Sequence, residues 1–190
     1  MSQIAEYVSK TTLAATVCFS LLCTSRAADA LEAALQAKLD AQLKAVQALA
    51  AEPAVVKAVK EHNTSVPAEQ AAMTNEKWKT LSVLDPFVRA FTKNDAALAL
   101  KTKKTAAMSE GFLSDAAGLK VAFLAKTTFW CHKGKAKHDV PMTGSTWQGT
   151  VEVDESTGVQ QIQIAAPVLE GNKPIGSLVV GLSLASLQKE

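Results

Sequence analysis

The sequence predicts an α+β domain with helices in the first half of the chain and a five-stranded antiparallel sheet in the second. Three observations lead to this prediction. From Ala28 to about Ala51, apolar residues recur every three or four positions, which is the period of a helix. At Gly111 the pattern changes to an alternation of apolar and polar residues, which is typical of strands. Short turn sequences separate five such runs, so neighbouring strands are expected to pair as hairpins.

The helical half is predicted to begin with a long helix over residues 28–50, a stretch without Gly or Pro. Pro53 is expected to open a second helix that ends near Asn63, because proline fits the first position of a helix. A third helix, around residues 68–84, carries Trp78 on its apolar side. The apolar stripe of the long helix consists of Leu31, Leu35, Leu39, Leu43, Val46 and Leu49.

The predicted sheet begins with a strand, a tight turn and a second strand within residues 111–125. The turn is assigned to Asp115–Gly118, since Asp and Gly favour tight turns. After an irregular stretch over residues 126–146, three more strands follow. One face of this sheet is apolar and one is mixed, so the apolar face needs a cover, which the helices supply. The third strand is expected to place Trp147, Gly149, Val151 and Val153 on one face.

Residues 1–27 have the features of a signal peptide. A polar start with Lys10 precedes a short apolar run, and Ser25 and Ala27 are small residues in the positions that a signal peptidase requires. We expect cleavage after Ala27 and a periplasmic or secreted product; an uncleaved membrane anchor is the alternative. The mature chain would keep Cys131 as its one cysteine and would therefore have no internal disulfide.

Composition and motifs exclude several classes of function. The 190 residues carry a net charge of +2 with acidic and basic residues interleaved, which gives no broad basic surface for nucleic acid. No phosphate-binding loop and no hydrolase or metalloprotease motif is present, so we expect neither an enzyme nor a cofactor. Cys131, His132 and His138 do not make a zinc site, because adjacent Cys and His cannot easily face one ion and no fourth ligand is evident.

Three segments resemble Cache domains, which are PAS-like extracellular sensor domains. Residues 112–122, FLSDAAGLKVA, resemble the first hairpin of that family. TTFWCHKGKAK, residues 127–137, takes the place of a segment that commonly carries an aromatic residue and Trp. VEVDESTGVQQIQIAAPVLEGNKPIGSLVVGL, residues 151–182, resembles the three closing strands, including the Pro-Ile-Gly of the last. The resemblance covers about residues 50–185 and implies a Cache-like domain over 51–190 after the N-terminal helix at 28–50.

The resemblance also implies where a ligand binds. It predicts a PAS-like sheet backed by the long N-terminal helix and the shorter helices, with a small-ligand pocket on the opposite face. The segment between the second and third strands forms the roof of this pocket. Aromatic walls with a few polar groups are what small-molecule binding requires; the alternative is that the aromatic residues are core and the lysines are solvated. The predicted ligand-binding residues are Phe112, Phe129, Trp130, His132, Lys133 and Trp147.

Cache domains usually report on small metabolites through an attached kinase, chemoreceptor or cyclase. No output segment follows in this sequence, so we expect a stand-alone exported sensor that binds an organic acid or amino acid and signals through a membrane receptor or kinase. The second hypothesis is an interaction module without ligand, in which the leucine stripe of residues 28–50 forms a homodimer. An enzyme that uses Cys131 or the histidines is the third.

Overall fold

The computed structural model describes residues 32–153 and 158–189. The predicted signal peptide lies outside the described residues. Contacts divide the chain into two compact units after Asp40, within the first helix and before the predicted boundary at residue 50. Residues 32–40 of the first unit are helical, and the second unit, from Ala41 onward, contains the sheet. Within the described ranges, no helix is long and apolar enough to cross a membrane.

The helices precede, interrupt and follow the sheet in the chain. The described part of the predicted long helix, α1, covers residues 32–50. Five more helices precede the sheet: α2 Pro53–Thr64, α3 Ala68–Ala71, α4 Asn75–Thr80, α5 Pro86–Ala90 and α6 Asp95–Thr102. Within or after the sheet lie α7 Ala136–Asp139, a 3-10 turn Pro141–Thr143 and α8 Leu184–Leu187.

Five antiparallel strands form one sheet in the spatial order β2-β1-β5-β4-β3, as the α+β, PAS-like prediction requires. The prediction of five antiparallel strands is therefore confirmed. Their bounds are β1 Met108–Asp115, β2 Lys120–Phe123, β3 Trp147–Val153, β4 Gln160–Glu170 and β5 Lys173–Ser183. The expected pairing of all neighbouring strands is wrong for β2 and β3, which lie at opposite edges of the sheet while β1 pairs with β5.

The two faces of the sheet have different partners. Helix α2 packs against β1, β4 and β5, with Val55 and Val59 buried. Val59 approaches so closely that its Cγ1 lies 2.7 Å from the position a Cβ on Gly176 would take. Since strand residues alternate, Leu178 and Val180 share this face with Gly176, whereas Ser177 and Val179 point to the other. The face opposite α2 is covered by the segment between β2 and β3.

Three details differ from the sequence prediction. The helix predicted around residues 68–84 is divided into α3 and α4, because the Thr74 hydroxyl accepts a hydrogen bond from Lys77 N and starts a new helix there. The stretch 126–146 contains α7 and a 3-10 turn. Val151 and Val153 are exposed, because the β3–β4 register shifts between Gln148 and Val151 at an edge strand.

Candidate functional site

A cavity of about 230 Å³ lies on the sheet face opposite α2. Its floor comes from β1, β3 and β4, and its roof from residues 124–146, which we call the covering segment. The cavity is thus at the place that the family resemblance implies for a ligand. Its lining residues are Glu110, Thr127, Thr128, Phe129, His132, Lys137, Glu152, Val153 and Gln163.

Helix α4 and the β1–β2 turn hold the covering segment in place. Trp78 Nε1 donates to the Thr127 carbonyl at 2.7 Å. The side-chain oxygen of Asn75 accepts from the backbone N–H groups of Trp130 and Cys131, at 2.9 and 3.0 Å. His132 N donates to the Gly118 carbonyl at 2.8 Å. Hydrogen bonds to main-chain groups of the covering segment therefore fix the backbone on both sides of Trp130, and with it the direction of the neighbouring side chains.

One end of this sheet face is filled by the protein's own aromatic side chains. The ring of Trp130 lies 5.3 Å from Trp78 and 5.3 Å from Phe91, measured between centroids, and its side chain is fully buried. The cavity lies beyond this cluster, where the floor changes to polar side chains. The buried cluster consists of Trp78, Val88, Phe91, Phe112, Phe123, Trp130, Ala165 and Val179.

A chain of charged and amide groups runs along the cavity. Lys137 Nζ donates to the Gln163 side-chain oxygen at 2.7 Å, and Gln163 Nε2 donates to the Glu110 carboxylate at 2.8 Å. The amide thus separates a cation on α7 from an anion on β1. Glu152 adds a second carboxylate to the lining. The cavity therefore offers hydrogen-bond donors and positive charge at one part and negative charge at another.

His132 lines the cavity and contacts a buried lysine behind it. Its Nδ1 lies 2.7 Å from Lys120 Nζ, and Lys120 is fully buried. Burial, and then the charge of Lys120, lower the pKa of His132 far below its usual value, so the imidazole is neutral. Burial also lowers the pKa of Lys120 well below its usual value, while the Glu110 carboxylate opposes this shift.

The structure brings together three of the six predicted ligand-binding residues. Phe129 and His132 line the cavity. Phe112 belongs to the buried cluster and does not line the cavity, but its ring contacts His132, with a centroid distance of 4.5 Å.

The other three lie elsewhere. Trp130 belongs to the buried aromatic cluster, Lys133 is exposed, and the half-buried Trp147 packs against the cluster. None of these three lines the cavity. A role for each of the six in ligand binding remains a prediction.

Sequence reasoning missed five charged or amide residues in or behind the cavity. Glu110 precedes Phe112 by two positions on one strand, and Gln163 alternates with Ile162 and Ile164, so strand alternation could have placed both. Lys137 lies in a segment without periodicity and gave no signal. The missed residues are Glu110, Lys120, Lys137, Glu152 and Gln163.

A larger open groove of about 560 Å³ lies on the helical side, between α2, α6 and β2. His62 at its edge bonds Asp115 through Nδ1 at 2.8 Å and the Gln70 oxygen through Nε2 at 2.6 Å. Burial acts to lower the pKa of His62, but the bonds to Asp115 and Gln70 outweigh it, so that the pKa is raised. Both ring nitrogens are thus occupied by protein acceptors, and His62 is a structural group.

Comparison with solved structures identifies the fold. The sensor domain of the Vibrio cholerae histidine kinase DctB is similar over 90% of this chain and 58% of its own, with a TM-score of 0.56 and 14% identity. This chain has the Cache-type, PAS-like fold. It spans little more than half of that sensor domain. No protein-family model matches the sequence. A search of curated proteins also finds no match.

Two further sensor domains show the same kind of similarity. The Escherichia coli DcuS sensor domain matches with a TM-score of 0.47 and 14% identity over 82% of this chain and 96% of its own. The ligand-binding domain of the Pseudomonas aeruginosa amino-acid chemoreceptor PctC, solved in complex with GABA, matches with the same TM-score and identity over 82% of this chain and 57% of its own.

Proposed function

We propose that this protein is an exported sensor domain that binds a small carboxylate metabolite, an amino acid or an organic acid, in the cavity beneath the covering segment. One observation carries the proposal. On a fold that resembles sensor domains, the cavity combines an aromatic wall, hydrogen-bond donors and carboxylates. The binding is reversible and involves no chemical step.

The lining suits a ligand with a negative and an apolar part. Lys137 and the His132 N–H group are donors for a carboxylate, and the Phe129 ring is an apolar wall. Glu110 and Glu152 are placed to accept hydrogen bonds from an ammonium group, as an amino acid would require. A cavity of about 230 Å³ is smaller than the ~300–1,000 Å³ typical of drug-sized ligands, which favours a compact metabolite.

The signal would pass to a second protein. Residues 1–27 direct the chain out of the cytoplasm in this proposal, and the bound state is reported to a membrane receptor or kinase. The support is the similarity to the sensor domain of a histidine kinase and the leader-like pattern of the first 27 residues.

A thermal-shift screen of the purified protein tests the proposal. The library consists of the proteinogenic amino acids and of short aliphatic mono- and dicarboxylic acids. A ligand at 100 times its Kd stabilises the folded state by about 2.7 kcal/mol, because it binds only that state. At least one compound is expected to raise the melting temperature in a saturable manner. A flat response across the library would remove the support for metabolite binding.

Two substitutions localise the effect. Lys137→Met removes the cavity cation while keeping much of the side-chain volume, and it is expected to weaken the response by at least tenfold in concentration, the size of one charged hydrogen bond. Lys104→Met removes the same charge from an exposed position outside the cavity lining and is expected to respond like the natural protein. Equal weakening by both would indicate a general charge effect.

Self-association through α1 is the second candidate. Leu43, within the predicted leucine stripe, is only half-buried, so part of the stripe remains available to a second copy. Light scattering after gel filtration measures the mass of the natural protein and of Leu43→Lys. A dimer that becomes a monomer in the variant supports this candidate, and monomers in both cases refute it.

A further inference from the structure

Lys120 is a fully buried lysine directly behind the cavity. Its Nζ lies 2.7 Å from His132 Nδ1 and 3.5 Å from the centroid of the Phe112 ring. Among the described residues, no carboxylate lies within 4.0 Å of this amine. Burying an amine without a carboxylate partner costs free energy, and a nonpolar residue of similar size would avoid that cost. A role of Lys120 in the ligand site would explain why a lysine is buried at this position.

The contact with Lys120 determines which nitrogen of His132 carries the proton. Burial lowers the pKa of Lys120, but its ammonium form has only donors, and toward that form His132 Nδ1 accepts, which leaves the proton of the neutral ring on Nε2. The Phe112 ring face, at cation–π distance, favours the ammonium form of Lys120. No described residue is hydrogen-bonded to His132 Nε2. The Nε2–H group of His132 is therefore available to donate a hydrogen bond to a ligand.

The charged groups around the pair keep His132 from taking a second proton. On the covering segment these are Lys135 and Lys137; His138, whose pKa burial lowers, and Cys131 also lie near the pair. On the sheet, Glu110 of β1 is the anion that acts on Lys120, from beyond salt-bridge distance. The cations outnumber this carboxylate, which disfavours an imidazolium. His132 is then a fixed neutral donor.

We propose that Lys120, which itself does not line the cavity, is a positioning residue that makes the site selective for a carboxylate by holding His132 as the Nε2–H tautomer. This inference rests on the proposed function. Because His132 and Lys137 both line the cavity, a carboxylate there finds two donors, the Nε2–H group and the Lys137 ammonium. The amide of the same acid would turn its NH₂ group or its weaker carbonyl toward them, and a site built from donors rejects such a group.

The tautomer can be measured without any ligand. Long-range ¹H–¹⁵N spectra of the protein labelled at histidine distinguish the two nitrogens of each ring. At neutral pH, His132 is expected to be neutral with the proton on Nε2. Lys120→Met should give a mixture of tautomers, because a thioether neither donates to Nδ1 nor fixes the ring. The variant is expected to fold, since replacing a buried charge by an apolar side chain of similar size is often neutral or stabilising.

A proton on Nδ1 of His132 in the natural protein, an imidazolium, or an unchanged tautomer in Lys120→Met would each overturn the assignment. The spectrum of the natural protein alone can do so, even if the variant does not fold.

Binding of matched probes tests the selectivity. Propionate and propionamide, and L-alanine and L-alaninamide, are titrated while the amide spectrum of the protein is recorded. The natural protein and the exposed-site control Lys104→Met are expected to prefer the carboxylate of at least one pair by about tenfold or more, the scale of a charged hydrogen bond. Lys120→Met should lose most of that preference.

The two sets of outcomes separate the two proposals. The expected tautomer without binding of any probe would contradict the selectivity assigned to Lys120, whereas the proposed function is decided by the thermal-shift screen of the full library. Binding with a preference that Lys120→Met retains would leave the proposed function standing and overturn the role of Lys120. Loss of the preference together with loss of the single tautomer supports both.

Discussion

Asp115 shows at the residue scale what a local pattern predicts and what it does not. Its side chain accepts from Ala117 N and Leu119 N, at 2.9 and 2.8 Å, as the predicted turn requires. The same carboxylate also bonds His62, 53 positions earlier in the chain. Turn chemistry depends on neighbouring residues and is readable from the sequence, whereas the partner on α2 depends on how the helix docks.

The pair of His62 and Asp115 predicts a pH dependence of stability. The pKa of His62 is raised above 6.5 in the folded state, so its contribution is fully present below pH 6.5 and is lost as pH rises through the folded value. We expect His62→Gln to lower the free energy of unfolding by about 1.5–3 kcal/mol below pH 6.5, and by less at a pH above the pKa of folded His62. Urea unfolding at several pH values measures the difference.

His138 provides a control of opposite sign. Burial lowers its pKa in spite of nearby carboxylates, so its neutral form contributes above pH 6.5 and the contribution is lost as pH falls. The stability difference between the natural protein and His138→Gln should therefore be larger in alkali. Parallel pH profiles for the two histidine variants would contradict both assignments.

Gly118 closes the β1–β2 turn beneath the covering segment. Its φ is +82°, and a Cβ there would lie 2.4 Å from Lys133 N. Gly134 is a matched control, with φ +84° and nothing within 4 Å of its own Cβ position. Gly134→Ala should cost ~1–2 kcal/mol from backbone strain, and Gly118→Ala a further ~1–3 kcal/mol from overpacking. Equal costs in chemical denaturation would show that the close approach is unimportant.

At the scale of elements, the covering segment is held by groups that no periodicity reveals. Asn75 at the start of α4 accepts two backbone hydrogen bonds from residues 130 and 131, and Trp78 on the same helix donates to residue 127. The sequence indicated a helix around Trp78 but not that this helix anchors the roof of a cavity. The connection is made between segments far apart in the chain, and a single sequence does not show such pairs.

Removing the Asn75 anchor should loosen the roof. Asn75→Ala leaves two backbone N–H groups without their acceptor, and we expect a loss of ~1–3 kcal/mol in the free energy of unfolding. Hydrogen exchange of residues 127–133 should become faster, while exchange in β4 and β5 should change only as far as global stability does. The control is Thr80→Ala, which removes an exposed hydroxyl from the same helix. Unchanged exchange in residues 127–133 would refute the anchoring role.

At the scale of the whole molecule, the number of strands was predictable and their spatial order was not. Alternation identifies strands, and turn residues identify the β1–β2 and β4–β5 hairpins, but neither says that β1 pairs with β5 at the centre of the sheet. That pairing is seen only in the structure. Alternation also does not predict burial at the edge of the sheet. Val151 and Val153 alternate with polar residues as in a strand with one buried face, yet they are 52% and 58% exposed on the edge strand β3.

The site was predictable to a similar extent. The resemblance pointed to the covering segment, and Phe129 and His132 of that segment do line the cavity. The floor of the cavity comes from β1, β3 and β4. Strand alternation indicates the face on which Glu110 and Gln163 lie, but only the strand order shows that they meet at one cavity. Trp130 and Phe129 are neighbours in the sequence but lie in different surroundings. Trp130 belongs to the buried cluster, whereas Phe129 lines the cavity.

The central claim is that the cavity beneath the covering segment binds a small carboxylate metabolite. The most direct test is a titration of the ¹⁵N-labelled protein with the amino acids and organic acids of the screen. The amide chemical shifts are recorded at each step of the titration. A binding compound should shift residues 127–137 together with Glu110 and Gln163, saturably. Shifts confined to the groove between α2 and α6, or none with any compound, would contradict the account.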